Sequence, residues 1–328
     1  MKEALYYEKI GDGSVQCRLC PHNCRIAPGR RGICRGRVNH DGTLYSEIYA
    51  RVTSVALDPI EKKPLYHFHP GSTIYSMGTV GCNFACQFCQ NWQISQVEAD
   101  TEELPPAVAV EQAIGAGSVG IAYTYNEPSI WIEYVLDTAK LAHARGLKNV
   151  LVTNGYISPE PLRDVLNYID ALNIDIKSME DEFYQKLCKA RLQPVLDATK
   201  LANERALVEV TNLVIPGWND KDEHFARLRD WIAAELGPDT PTHLSAYFPR
   251  YKLKAPPTPV STLQRAYEVC REKLHFVYLG NVGGRTGADT LCKNCGSTLV
   301  RRVGYSTEVV GLRGGKCSNC GTDNRFVV

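Results

Sequence analysis

Three cysteines on one short loop carry chemistry that a folded chain rarely assembles by accident. Cys82, Cys86 and Cys89 stand in Gly-Cys-Asn-Phe-Ala-Cys-Gln-Phe-Cys-Gln-Asn, residues 81–91, with three residues between the first pair and two between the second. Soft thiolates suit iron–sulfur centres, and three of them can grip three irons of a cubane [4Fe–4S] cluster. No fourth cysteine is near in sequence. One iron is then left open for a cofactor or substrate, as a catalytic zinc keeps an open position. Phe84, Phe88 and Trp92 interleave the ligands and can shield a cluster from water.

Eight further cysteines form two sets of four. Cys17, Cys20, Cys24 and Cys34 fall within eighteen residues broken by Pro and Gly, and can close around one metal with no open position. Zinc and a second [4Fe–4S] cluster both satisfy that pattern. His22 reads as a polar bystander, and the surrounding arginines as a solvated face. Cys292, Cys295, Cys317 and Cys320 make two matching Cys-x2-Cys-Gly knuckles separated by an alternating segment, Thr298–Val310. This is a zinc-ribbon pattern, with a rubredoxin-like iron as the alternative metal. Such a site staples a module too small to hold a core alone. Cys188 and Cys270 stand apart and read as buried small hydrophobes.

Between residues 72 and 280, short apolar strands alternate with amphipathic helices. Strands are expected at Thr73–Thr79, Gly120–Tyr125, Asn149–Thr153, Ala171–Ile176, Leu207–Ile215, His243–Phe248 and Phe276–Leu279, with helices between them. That alternation predicts parallel βαβ units with right-handed crossovers. The expected fold is α/β: a partial barrel of the (β/α)6 type over residues 71–284. An N-terminal four-cysteine module and connector precede it (1–70), and a zinc-ribbon-like module follows (285–328).

Chemistry in such a barrel sits at the carboxyl ends of the strands. The cysteine loop follows the first strand. The later strands end in Tyr123-Thr-Tyr-Asn-Glu-Pro128, Thr153-Asn-Gly-Tyr156, Asp175-Ile-Lys177 and Val214-Ile-Pro-Gly-Trp-Asn219. These ends nominate Tyr125, Asn126, Glu127, Thr153, Asn154, Asp175 and Lys177, with Phe88 from the cysteine loop, as residues lining a bound cofactor. His67 and His69, just ahead of the first strand, are weaker candidates.

The chain has 328 residues, 44% of them apolar, and a net charge of +1. Nothing in that balance calls for nucleic acid or a membrane surface. No apolar run of eighteen residues and no signal peptide is evident. Thirteen cysteines without an export signal point to metal ligation in a reducing cytoplasm.

The three-cysteine loop closely resembles that of the radical S-adenosylmethionine (SAM) superfamily. Glu-Pro at 127–128, Thr-Asn-Gly at 153–155, Asp-Ile-Lys at 175–177 and Val-Ile-Pro-Gly-Trp-Asn-Asp at 214–220 are similar to the glycyl-radical-enzyme activases, such as pyruvate formate-lyase activating enzyme. Cys-Arg-Leu-Cys-Pro-His-Asn-Cys, Asp-Pro-Ile-Glu-Lys-Lys-Pro-Leu-Tyr-His-Phe and the cysteine loop together look like the AmmeMemoRadiSam-system radical SAM enzymes.

The resemblance implies a [4Fe–4S] cluster on Cys82, Cys86 and Cys89, and SAM held through its amino group by Glu127. Thr153, Asp175 and Lys177 then line the SAM and substrate side. It implies reductive cleavage of SAM to a 5′-deoxyadenosyl radical and hydrogen abstraction from a substrate, a protein in the activase pattern. Modification of a small molecule, such as methylation, is the alternative; a non-catalytic multi-zinc binding protein is the reading from another class. A flavodoxin or ferredoxin would supply single electrons. Two departures from the activases stand out. Val152 replaces an aspartate before Thr-Asn-Gly, and Ser245–Tyr251 lacks the histidine after Pro-Tyr, which leaves Tyr247 or Arg250 for the SAM carboxylate.

Overall fold

The computed structural model describes residues 1–328. Its centre is an eight-stranded sheet. Strand β1 (Ser54–Pro59) runs antiparallel to β2 (Thr73–Gly78), pairing Ser54 with Gly78 and Pro59 with Thr73. Helix α1 (Pro106–Gly115) leads to β3 (Gly120–Tyr123), and α2 (Ile132–Ala144) to β4 (Lys148–Thr153). Next come α3 (Pro159–Val165), β5 (Ala171–Asp175), α4 (Gln193–Asn203) and β6 (Leu207–Val214). Then α5 (Asp222–Glu235), β7 (Thr242–Ala246), α6 (Val260–Arg271) and β8 (Val277–Gly280) complete the series. Strands β2 to β8 are parallel and lie in chain order. The predicted partial barrel is present, with seven parallel strands.

The strands are near-continuous apolar runs because helices cover one face and the barrel interior the other. All four residues of β3 are buried, as are seven of the eight in β6. Buried amides among them donate to backbone, as burial demands: Asn173 Nδ2 to Pro64 O at 2.7 Å and Asn212 Nδ2 to Ile176 O at 2.7 Å. Strand β1 lies outside the sequence expectation, which took the stretch as connector. Its apolar Val55 and Leu57 face solvent, while Asp58 is buried. An inverted pattern of that kind gives no core signal.

The sheet does not close on itself, and its edges are β1 and β8. The C-terminal module lies across that gap. Its strands β9 (Thr298–Val303) and β10 (Ser306–Val309) form a hairpin, and its own core is only Cys292, Leu299, Val300 and Cys317. His69 N donates to Val327 O at 2.7 Å and Val327 N to His67 O at 2.9 Å. Arg302, buried, donates to Tyr66 O at 2.8 Å and stacks 4.1 Å over the Tyr66 ring. On the β8 side, Tyr278 and Thr290 share a hydroxyl contact at 2.8 Å. The module is therefore built into the barrel wall.

The N-terminal module is two small antiparallel sheets pinned to α2. Arg37 and Glu133 form an ion pair that is wholly buried; Glu133 also accepts from Leu5 N at 2.8 Å. Trp131 Nε1 donates to Ile48 O at 2.6 Å.

Candidate active site

The cysteine loop leaves β2 at the carboxyl end of the barrel, and backbone bonds hold it from several sides. Gly81 N donates to Ile94 O at 2.8 Å, and Asn126 Nδ2 to Gly81 O at 2.9 Å. Ala85 N donates to Cys188 O at 2.9 Å and Gln87 N to Leu187 O at 3.0 Å, one bond on each side of Cys86. The carbonyls are available because Tyr184–Cys188 is a single π-helical turn, a distortion found often at functional sites. Cys188 is buried, as the sequence indicated. Its thiol also lies against Cys86, and that hydrogen bond lowers the Cys86 thiol from its ordinary range.

The sulfurs have donors as well. Phe84 N lies 3.3 Å from Cys82 Sγ, Asn154 Nδ2 3.8 Å from the same atom, and Ser95 Oγ 3.0 Å from Cys89 Sγ. Asn154 Nδ2 also donates to Asn83 Oδ1 at 2.9 Å, and Asn83 Nδ2 to Tyr156 O at 2.8 Å, so the end of β4 orients the loop. No three ligand atoms here meet within 4.8 Å of one another, a spacing found only in the C-terminal cysteine set. Three buried or half-buried sulfurs not drawn together around one ion suit a larger cluster better. Burial, with Glu127 and Cys86 adding negative charge, pushes the Cys82 thiol well above its usual range. The thiolate form then depends on bound metal.

Around the loop opens a cavity of about 790 Å³. It is lined by Cys82, Cys86, Cys89, Phe88, Tyr125, Asn126, Glu127, Thr153, Asn154, Asp175 and Lys177. The candidates from four different strand ends thus meet at one place. Glu127 is the most constrained. Its Oε1 accepts from Ser129 N at 2.9 Å and Thr153 Oγ1 at 2.7 Å, and its Oε2 from Asn154 N at 2.8 Å. A carboxylate has about four acceptor positions, so one remains. Burial raises its pKa despite those donors. Lys177 Nζ pairs with Asp175 at 2.9 Å and lies 5.9 Å from the Phe88 ring centre. Burial disfavours its charge, but Asp175 and the Cys86 sulfur outweigh that and raise its pKa.

Tyr125 has φ 71°, an unusual value for a bulky residue and one that costs about 1–3 kcal/mol. Its hydroxyl donates to Asp58 at 2.5 Å, and Asn91 Nδ2 donates to its carbonyl at 2.7 Å. Asp58 also takes Lys62 at 2.8 Å and Lys63 at 2.7 Å. Burial opposes its charge, but the two lysines and Tyr125 hold its carboxyl well below the usual range.

Tyr247 is buried and donates to Leu253 O at 2.9 Å; it does not line the cavity. Asn219 is turn scaffolding: its Oδ1 accepts from Ile215 N at 2.6 Å. His67 is buried between Asn324 O and the Tyr278 hydroxyl, 3.0 and 2.6 Å away, and belongs to the ribbon contact. Several lining residues escaped the sequence reading: Lys62 and Lys63 beside β1, Thr211 and His243 inside the barrel, and Arg302 and Tyr305 from the C-terminal hairpin. The Glu-Lys-Lys stretch carried a signal in its resemblance. The barrel-interior and hairpin residues carried none.

In the C-terminal set the four sulfurs all lie within 4.8 Å of one another, with Cys292–Cys320 at 3.6 Å and Cys295–Cys317 at 3.7 Å. Tetrahedral zinc with bonds of about 2.3 Å puts sulfurs about 3.8 Å apart. Hydrogen bonds from Ser297, then Asn319, bring the Cys295 thiol down to about 5. The set is built for one ion.

The Radical SAM superfamily profile matches residues 77–229. The chain is 45% identical over 329 residues to an uncharacterized protein of Methanocaldococcus jannaschii, covering 98% of each. It is 28% identical over 159 residues to the pyruvate formate-lyase 1-activating enzyme of Escherichia coli (strain K12), which is 46% of this chain and 65% of that enzyme. A solved radical SAM methyltransferase from Sphaerobacter thermophilus shares the fold, with TM-score 0.52 at 16% identity over 70% of this chain and 71% of that one. The chain belongs to the radical SAM superfamily. Within that superfamily it is homologous to the glycyl-radical activases. No helix is long and apolar enough to cross a membrane.

Proposed function

We propose that this radical SAM enzyme reductively cleaves SAM at a [4Fe–4S] cluster on Cys82, Cys86 and Cys89, and abstracts hydrogen from a substrate held in the adjoining cavity. When bound, the reduced cluster supplies the electron that splits the sulfonium and leaves a 5′-deoxyadenosyl radical. The convergence of Cys82, Cys86, Cys89 and the candidates from four strand ends on one cavity carries this reading.

The chain's own residues bind, orient and shield. Glu127, fixed by Ser129, Thr153 and Asn154, offers its remaining acceptor position to the ammonium of SAM. Asn83 and Asn154 hold the Cys82 side of the loop, and the 184–188 turn holds the Cys86 side. Phe84 and Phe88, both buried, keep water from the sulfurs. Lys177 and Asp175 offer paired charges to the substrate side. We take zinc as the ion of Cys292, Cys295, Cys317 and Cys320, whose sulfur spacing suits one tetrahedral ion. Single electrons come from a flavodoxin- or ferredoxin-type donor.

For the substrate, homology to the activases supports a protein segment. A small molecule is the second reading, favoured by Arg302 and Tyr305: they bound the cavity on the side where the barrel is open. The test is to incubate reduced, reconstituted protein with SAM and either a candidate glycyl-radical partner or a small-molecule fraction, then read both by mass spectrometry. Formation of 5′-deoxyadenosine that rises with one fraction, and a mass change confined to it, identifies the class. SAM left intact in every arm contradicts the proposal.

A further inference from the structure

The N-terminal cysteines are arranged unlike the C-terminal four. Cys17, Cys20 and Cys34 are buried and Cys24 is half-buried, yet no three of their sulfurs come within 4.8 Å of one another. A mononuclear site would draw its ligands together, as the C-terminal set shows in the same chain. Four thiolates not gathered round one ion suit the corners of a cubane. Arg37, wholly buried, points Nη1 at Cys17 Sγ from 3.6 Å. Its charge is balanced by Glu133, and its N–H donates to that sulfur as outer-lying hydrogen-bond donors do at metal centres.

The module also shares a wall with the central cysteine loop. Gly81, next to Cys82, has φ 94°, and a Cβ placed on it would run into the Cys34 carbonyl oxygen. The two ligand-bearing segments therefore pass at backbone contact. His22 Nε2 lies 2.7 Å from Asn83 O, Arg35 Nη1 donates to Gln96 O at 2.6 Å, and Ser158 N donates to Leu19 O at 3.0 Å. Residues beside the N-terminal cysteines thus touch Asn83, next to Cys82, and Gln96, just past the cysteine loop.

We propose that Cys17, Cys20, Cys24 and Cys34 hold a second [4Fe–4S] cluster, and that this cluster is the electron entry to the SAM-cleaving one. It takes one electron from a reduced flavodoxin- or ferredoxin-type donor, which is oxidised by one electron. It passes that electron across the Cys34–Gly81 contact to the central cluster and returns to its oxidised state. The proposal rests on the reading of Cys82, Cys86 and Cys89 given above.

The test uses the full chain purified without oxygen. The expected content is about eight irons, eight sulfides and one zinc per chain. The Cys20→Ala/Cys24→Ala variant should fall to about four irons with its zinc retained, and its reduced electron paramagnetic resonance spectrum should lose one of two coupled signals. The ratio of flavodoxin-driven to dithionite-driven SAM cleavage should drop by more than about tenfold, since dithionite can reach the central cluster without the relay. Cys24→Ser, a gentler change, should shift the second signal without unfolding the chain. About four irons with two zincs in the wild type overturns the proposal, as does an unchanged donor ratio in the double variant. Eight irons with no SAM cleavage under either reductant instead defeats the central reading and leaves the second cluster standing.

Discussion

His67 lies face to face with Phe326, ring centres 4.2 Å apart and planes within 9°. That stack joins the segment ahead of the cysteine strand to the last residues of the chain. The C-terminal module is thereby part of the cavity wall, and a metal on its four cysteines would support the barrel as well as the module. With an apolar core of only four residues, the module should depend on metal to stay folded. Cys317→Ala should abolish stoichiometric zinc, open residues 285–328 to limited proteolysis, and leave Tyr66 and His67 exposed to hydrogen exchange. Protection of those two residues equal to wild type would show the wall to be independent of the metal.

The buried Arg37–Glu133 pair makes the matching statement at the other end of the chain. Removing one partner of a buried pair leaves a charge without compensation and costs about 3–5 kcal/mol. Glu133→Ala should lower the unfolding free energy by about that amount in urea titrations. A loss under about 1 kcal/mol would mean the pair behaves as an exposed one.

His224 on α5 is buried, and neither ring nitrogen has a protein partner. Burial, then the neighbouring Arg227, lowers its pKa to about 4. Below its unfolded pKa of about 6.5, the unfolded chain holds a proton that the folded chain refuses. Stability from this site is therefore full above that value and falls as the pH drops towards 4. Between about pH 7.5 and about pH 5.5 the loss should be about 1.4 kcal/mol. His224→Leu should shrink the wild-type difference by that amount, since the other groups are common to both proteins. Parallel pH curves would refute the assignment.

Glu127 has three protein donors, so truncating it would disturb the ends of β3 and β4 as well as SAM. Glu127→Gln keeps the size and removes the charge. Loss of a charge-assisted bond should weaken SAM binding by about tenfold or more. Iron content should be unchanged, since Glu127 is no ligand. Equal SAM affinity in equilibrium dialysis would remove Glu127 from the SAM site.

The barrel and its cysteine sets were legible because their signals are local. Ligand spacing is read within a few residues, and alternation of apolar strands with helices places each loop at one end of the barrel. The residues that face each other across the gap were not legible. Arg302 reads as a surface cation yet is buried against Tyr66 and Tyr278. No periodicity links residue 66 to residue 302. Strand β1 hid for a different reason, since it turns its apolar side chains outward and buries an aspartate. Tyr247 stood at a strand end like the others, but the chain beyond it folds back and its hydroxyl is taken by Leu253 O.

The most direct measurement is the yield of 5′-deoxyadenosine from SAM, under dithionite, for the reconstituted wild type and the Cys82→Ala/Cys86→Ala/Cys89→Ala variant. The account predicts 5′-deoxyadenosine and methionine in equal amounts from the wild type. From the triple variant, with its zinc and N-terminal metal still bound, it predicts none above the protein-free control. Cleavage by the triple variant at the wild-type rate would contradict it.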